Sequence, residues 1–302
     1  MTTLQTQTVS GLELWQWRHQ ARQTAIAADV SVTELDWLLQ QMIGLDDITL
    51  KLESFKDRGE ISLPLPLANL SELWQRRLND RVPVQYLAGV AQWRNFSLQV
   101  SPDVLIPRLE TEGLIDMAIA AVAQSSLPLD QGHWADLGTG SGAIAIALAD
   151  AFPNISIHAV DYDAAALAVA QVNAERYGMS DRIHFYLGSW FEPLAHLKGQ
   201  FSGMIANPPY VPSTRLTEMD PEVAHEPQHA VYGNGQDGLD HVRHLIKLAP
   251  DYLMPGGTWL MEMMVGQSEA VNHLFQTQGQ YRDIQIHPDY ADRNRLALTY
   301  RA

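Results

Sequence analysis

"WADLGTGSGAIAIALA" (134–149) joins three kinds of chain in one short run. Trp134 to Leu137 has strand character, Gly138, Gly140 and Gly142 form a loop, and an Ala/Ile-rich helical pattern follows. Glycines there permit positive φ and let a ligand approach the backbone. The free N–H groups of the following helix attract an electronegative group. The spacing is G-x-G-x-G rather than G-x-G-x-x-G, so a dinucleotide pyrophosphate is not the first expectation. By itself the loop leaves a second reading open, a tight βα turn that holds no ligand.

Strands alternate with helical patterns from His133 onward, the grammar of βαβ units and a parallel sheet. The strand candidates are "HWADLG", "SIHAVD", "IHFYLG", "SGMIAN", "GTWLME", "YRDIQIH" and "RLALTY". Only "PDYADRN" separates the last two. A parallel pair needs a crossover of about a dozen residues or more, so these two are expected to be antiparallel. "AAALAVAQVNAERYG" is a helix ending at Gly178.

Upstream, residues 1–80 read as a small helical bundle. "SVTELDWLLQQMIG" places Ser31 three residues before Glu34, the capping-box spacing, and Gly44 at a helix end. Leu35, Leu38, Leu39 and Met42 share one helical face. Leu12, Trp15 and Ala21 mark a further helix, as do Leu70, Leu73, Trp74 and Leu78, while "LPLPL" (63–67) is a connector. In residues 81–107, "NFSLQV" and "VLIP" flank the turn tripeptide "SPD", which predicts a linking β-hairpin. A helix from Leu109 to Val122 opens the α/β domain, residues 108–302.

Composition narrows the function. With 46% hydrophobic and 18% charged residues, the 302-residue chain has ordinary globular usage and a real core. A formal charge of -15 disfavours a strong phosphate-backbone binder. The absence of cysteine excludes disulfides, thiolate zinc sites and thiol nucleophiles. "MTTLQTQTVS" has no secretory signal character, and no apolar run nears the roughly 18 residues of a membrane helix. A cytoplasmic protein is expected. The histidines at 225, 229, 241 and 244 lie in a Pro/Gly-interrupted segment with few acids converging, so surface or loop roles are expected of them and no metal is assigned.

Two acids and an aromatic extend the glycine loop. Asp161 closes the second strand, where a carboxylate accepts hydrogen bonds from a ribose diol. "DYDA" also allows an N-cap acid, with Asp163 capping while Asp161 binds. Trp190, just past the third strand, either packs on an adenine face or belongs to the core. "MIANPPYVP" (204–212) then ends the fourth strand at the same edge. Pro208 and Pro209 stiffen the backbone, and Asn207 carries an amide that both donates and accepts. The Asn207 side-chain oxygen and the Pro208 carbonyl can take the two hydrogens of a planar NH2 group beside the Tyr210 ring. Such a nitrogen is a poor nucleophile, and holding both N–H bonds aims its residual lone pair at an electrophile.

"DLGTGSG", "AVD" and "NPPY" in this order resemble the class I S-adenosylmethionine-dependent methyltransferases that act on planar NH2 groups. The resemblance to the release-factor glutamine methyltransferase family is closer and spans nearly the whole chain. It is carried by "RVPVQYLAG", "SPDVLIPRLETE", "NPPYVP", "HEPQHAVYGNGQDGLD" and "DYADRNRLAL". It implies a Rossmann-like seven-stranded α/β sheet with its last strand antiparallel, plus a small N-terminal helical domain that recruits the substrate. It implies S-adenosyl-L-methionine as cofactor, held by Gly138, Thr139, Gly140, Ser141, Gly142, Asp161, Trp190 and Asn207. It implies methyl transfer to the glutamine of the Gly-Gly-Gln motif in peptide chain release factors, with Asn207, Pro208, Pro209 and Tyr210 holding the amide. Leu109, Ser189 and Met264 stand where the family usually has proline, an acid and glycine. The rival readings are an adenine-specific nucleic-acid methyltransferase, a glutamine methyltransferase acting on a ribosomal protein, and a cofactor-binding scaffold without activity.

Overall fold

The computed structural model describes residues 6–302; residues 1–5, the start of the expected helical domain, lie outside the described residues. The chain forms two compact units. One holds the described residues up to Val90 together with Pro221–His225, and the other holds Ala91–Asp220 and Glu226–Ala302.

In the first unit, strand β1 (Gln7–Val9) leads into α1 (Gly11–Ala27), followed by α2 (Val32–Ile43) and α3 (Asp47–Lys51). Strand β2 (Ile61–Leu63) returns antiparallel to β1, and α4 (Leu67–Asn79) and α5 (Val84–Ala88) complete the unit. Its core gathers Leu14, Leu35, Leu38, Leu39, Phe55 and Trp74. Leu12 is exposed, so Leu14 rather than Leu12 carries the buried face of α1. Gly44 ends α2 in the left-handed conformation, as its position predicts. Ser31 caps α2 through Thr33 N–H, but Glu34 does not close the expected capping box. Its carboxylate is drawn instead to the buried Arg77 guanidinium, at 2.5 and 2.9 Å. Burying that cation unpaired costs more than leaving a helix N–H to water. The capping box of this unit belongs to Ser10 and Glu13 on α1.

The second unit begins with β3 (Val90–Trp93, whose first residue lies at the boundary) and β4 (Phe96–Gln99), which pair as a hairpin. This places the hairpin one strand earlier than "SPD" predicts: its turn is Arg94–Asn95, and residues 104–107 form no strand. Arg94 adopts φ 49, and the Glu112 carboxylate accepts its backbone N–H at 2.9 Å. The turn is therefore held by a partner distant in sequence. After a 3₁₀ turn at Leu109–Thr111 comes α6 (Glu112–Gln124).

The sheet is built from β5 (Gly132–Leu137), β6 (Ile155–Asp161), β7 (Ile183–Leu187), β8 (Phe201–Ala206), β9 (Leu253–Glu262), β10 (Tyr281–Pro288) and β11 (Asn294–Arg301). Its order is β10-β11-β9-β8-β5-β6-β7. β5 through β9 pair in parallel, and β11 runs antiparallel to both β9 and β10. This is the expected seven-stranded sheet with an antiparallel last strand. Helices α7 (Ala143–Ala151), α8 (Ala164–Arg176), α9 (Gln228–Val231), α10 (Asp240–Tyr252) and α11 (Ser268–Gln278) occupy the connections.

Because both sheet faces are covered, the central strands are apolar throughout rather than alternating. One face packs Trp134, Ile157 and Ile205 against Ile144 and Leu148 of α7. The other packs Leu137, Met204 and Trp259 against Leu245 and Phe275. Each large apolar side chain buried this way contributes about 1.5–3 kcal/mol. Gly203 on β8 accommodates the Trp134 indole, since a Cβ there would lie 2.5 Å from the ring. The consequence for function is positional. The C-terminal ends of β5, β6, β7, β8 and β9 come together at one edge, where open α/β sheets place their ligands.

Candidate active site

The glycine loop is tied to the neighbouring strand as it leaves β5. Gly138 N–H and Thr139 N–H both donate to the Val160 carbonyl of β6, at 2.9 and 3.0 Å. Gly138, Gly140 and Gly142 take φ of 80, 52 and 82, a region that side chains other than glycine avoid. Beneath the loop, fully buried Asp136 accepts the Thr139 hydroxyl at 2.6 Å and Ala145 N–H of α7 at 3.1 Å. Burial, opposed by those two hydrogen bonds, pushes the Asp136 carboxyl up to about 7. Asn173, buried on α8, donates to the Ser141 carbonyl and exchanges hydrogen bonds with the Gln99 backbone. The hairpin thereby braces the loop.

Against this loop lies a cavity of about 490 Å³, within the range of small-molecule sites. Gly138, Gly140, Asp161, Trp190, Asn207 and Pro209 line it. A Cβ on Gly140 would meet nothing within 4 Å, so the backbone faces open space there. Asp161 accepts Gly140 N–H at 2.9 Å and Asp163 N–H at 3.0 Å, and burial raises its pKa. Asp163 is the N-cap of α8, which leaves Asp161 at the cavity wall. The Trp190 ring packs over Gly138, where a Cβ would come within 3.3 Å of it. Thr139, Ser141 and Gly142 sit behind the cavity: Thr139 and Ser141 are buried, and Gly142 abuts Ala170, 3.1 Å from a built Cβ. They shape the turn rather than its surface.

The NPPY corner is held by backbone contacts. Val211 pairs with Tyr232 as an isolated parallel bridge, with Val211 N–H on the Val231 carbonyl at 3.1 Å. A Cβ on Gly233 would lie 1.9 Å from the Gly238 carbonyl oxygen. "YGNGQDG" is thus glycine-rich where the chain crosses itself. Buried Gln267 ties the corner down further, donating to the Tyr210 carbonyl at 2.9 Å and to the Asp237 carbonyl at 2.8 Å.

A polar chain stands behind Asn207. Its Nδ2 donates to Thr111 Oγ1 at 3.1 Å, and Thr111 in turn donates to Glu262 Oε2 at 2.6 Å. The Tyr210 hydroxyl donates to the other oxygen, Glu262 Oε1, at 2.9 Å. Tyr210 therefore presents its hydroxyl inward, not to the cavity, and both it and Pro208 lie outside the lining residues. Burial raises the pKa of Glu262, and burial together with the Glu262 charge holds the Tyr210 phenol well above its usual value.

A family model described as "Methyltransferase small domain" matches residues 111–226. Along nearly its full length the chain is similar to release factor glutamine methyltransferases. It is 49% identical to the one from Synechocystis sp., covering 95% of this chain and 96% of the relative. The chain belongs to the release factor glutamine methyltransferase family. The Thermosynechococcus vestitus member is 43% identical, with 96% and 99% covered. Among solved structures, the hMettl16 catalytic domain superposes with a TM-score of 0.54 at 15% identity, covering 76% of this chain and 78% of that one. At that identity the likeness shows the fold.

The three departures from the family pattern have different surroundings. Leu109 is exposed, so the missing proline alters a solvent-facing turn. The backbone at Met264 does not take positive φ, so glycine is not required there. Ser189 lines the cavity beside Trp190, and Glu192 accepts its backbone N–H at 3.2 Å. His229 and His241 also line the cavity. Burial keeps His241 below its usual pKa, and it shares a 3.1 Å hydrogen bond with Asn234. Thr111, Glu262, Asn173 and Gln267 were not marked by any spacing. Of the four, Thr111 falls within a family mark, "SPDVLIPRLETE", while Glu262 and Gln267 open and close "EMMVGQ" (262–267) around Met264.

Proposed function

We propose that this chain transfers a methyl group from S-adenosyl-L-methionine to the side-chain amide nitrogen of the Gly-Gly-Gln glutamine in peptide chain release factors. Membership of the family supports the reaction, and one observation supports the assignment of roles. Asn207 lines the cavity while its Nδ2 is engaged by Thr111 behind it. Its Oδ1 is then the atom left to accept an N–H from a substrate amide.

The residues present suit the cofactor. Gly140 offers open backbone beside Gly138, Asp161 a half-buried carboxylate with unused lone pairs for a diol, and Trp190 an aromatic wall. Bound there, S-adenosyl-L-methionine supplies a sulfonium methyl that is electrophilic without metal or covalent help. The chain's task is alignment. Asn207 Oδ1 and the Pro208 carbonyl accept the two amide hydrogens, which orients the nitrogen lone pair and favours the positive charge that develops there. The N–CH3 bond would form as the sulfonium S–CH3 bond breaks, leaving S-adenosyl-L-homocysteine; the N-methylated amide then carries one extra, very acidic proton, which leaves to solvent, so no residue is assigned as general base. The N-terminal helical unit is proposed to recruit the release factor.

Asn207→Ala tests the assignment. Transfer to a release factor should fall by about 100-fold or more, with S-adenosyl-L-methionine affinity by calorimetry nearly unchanged. Equal loss of both would remove Asn207 from the role of amide acceptor.

A further inference from the structure

We infer that Thr111 and Glu262 are positioning residues that set the orientation of the Asn207 carboxamide. The inference rests on the proposed role of Asn207 and deepens it. An Asn side chain has two nearly isosteric orientations, one presenting oxygen to the cavity and the other presenting nitrogen. Only the first can accept a substrate N–H. What distinguishes them is whether the partner behind Asn207 is a donor or an acceptor.

Thr111 Oγ1 lies 3.1 Å from Asn207 Nδ2, and a hydroxyl has a single proton. That proton is committed elsewhere, to Glu262 Oε2 at 2.6 Å, a short hydrogen bond of the charge-assisted kind. Thr111 therefore faces Asn207 with lone pairs alone. Turning the amide over would set Asn207 Oδ1 against those lone pairs and leave a buried oxygen pair with no proton between them. In its ionised form, which the Thr111 and Tyr210 hydrogen bonds and Arg295 favour against burial, Glu262 makes the commitment one-way, because a carboxylate accepts and does not donate.

The second oxygen of Glu262 is also occupied, by the Tyr210 hydroxyl at 2.9 Å. Neither oxygen is left to rotate toward another partner. Arg295 stands 3.9 Å from Oε1 and supplies countercharge. Glu262 is fully buried and Thr111 nearly so, which keeps water from replacing either link. The chain Glu262–Thr111–Asn207 thus converts one fixed negative charge at the end of β9 into a fixed oxygen at the end of β8. This gives "PRLETE" and the last residue of β9 a shared task that neither shows alone.

The experiment compares kcat and KM for a release factor, and the dissociation constant for S-adenosyl-L-methionine, across wild type, Thr111→Val, Thr111→Ser, Glu262→Gln and Asn207→Ala. Thermal midpoints are recorded alongside. Thr111→Val removes the acceptor at nearly constant shape, and kcat should fall by at least about tenfold with cofactor affinity within about twofold. Thr111→Ser restores the hydroxyl and should return kcat to within about threefold of wild type. Glu262→Gln puts an NH2 opposite one hydroxyl, frees or reverses that link, and should lower kcat as Thr111→Val does. Thr111→Val combined with Asn207→Ala should be no slower than Asn207→Ala alone, because the two act as one unit.

A Thr111→Val enzyme with wild-type kcat, or a Thr111→Ser enzyme no better than Thr111→Val, overturns the inference. So does a kcat loss that merely follows a lowered thermal midpoint. If Asn207→Ala itself keeps wild-type kcat, the assignment of Asn207 fails. If Asn207→Ala is crippled while Thr111→Val is not, that assignment stands and the positioning role alone falls.

Discussion

Gly238 lies against the backbone of Tyr210 so closely that a Cβ on it would fall 2.3 Å from the Tyr210 carbonyl oxygen. Its φ of 74 also lies in the left-handed region. Gly238→Ala combines a backbone clash with a strained conformation, together about 3 kcal/mol. The thermal midpoint should drop by several degrees, and transfer should fall further than stability explains, because Tyr210 anchors the corner. Gly44→Ala is the control. Gly44 shares the positive φ of 76 but meets nothing within 4 Å, so its cost should be about 1 kcal/mol with transfer unchanged.

Asp161 ties two backbone N–H groups at the cavity wall, those of Gly140 and Asp163. Asp161→Ala frees both and removes the acceptor proposed for the cofactor's diol. A hydrogen bond to a charged group is worth about 1.5–3 kcal/mol, so cofactor affinity should weaken by about tenfold to a hundredfold. Calorimetric titration measures it directly. Unchanged affinity would place the diol elsewhere.

Arg77 is almost fully buried and is shared between Glu34 and Glu222, the latter at 2.8 Å. Arg77→Ala leaves Glu34 without its partner and Glu222 with Arg81 alone, and it opens a void, a loss of about 3–5 kcal/mol. Chemical denaturation should show it as a lowered midpoint.

Two buried groups give opposing pH dependences. Asp136 is raised to about 7 by burial, so between about 4 and that value the unfolded chain has lost a proton that the folded chain keeps. Stability from this group falls as pH rises through that window. His158 is lowered to about 3, by burial first and then by His133, so between about 3 and 6.5 the unfolded chain holds a proton that the folded chain lacks. Stability from this group falls as pH drops. Each contributes a slope on the order of 1.4 kcal/mol per pH unit, and the two nearly cancel where the windows overlap. His158→Gln should therefore unmask a decline in stability from pH about 4 to 7, and Asp136→Asn the reverse slope. Two flat profiles would contradict both assignments.

The residues explain why parts of this molecule were legible from sequence and others were not. Strands such as Phe201–Ala206 are buried on both faces, so they read as unbroken apolar runs. Gly138, Asp161 and Asn207 are legible because each ends or follows such a strand, and the sheet brings strand ends together. Thr111 and Glu262 bond across 151 positions of sequence, and no local period records that. The hairpin was misplaced for a related reason. "SPD" is a strong local turn signal, while the actual turn at Arg94 is held by Glu112, well outside any local window. The Ser31–Glu34 spacing was overridden in the same way by Arg77, 43 positions from Glu34.

The most direct measurement is mass spectrometry of a release factor after incubation with this protein and S-adenosyl-L-methionine, beside a ribosomal protein and adenine-containing DNA. The account predicts one methyl group on the glutamine of the Gly-Gly-Gln motif and none on the same factor with that glutamine replaced. Methylation of the DNA or the ribosomal protein, with the release factor untouched, would contradict it.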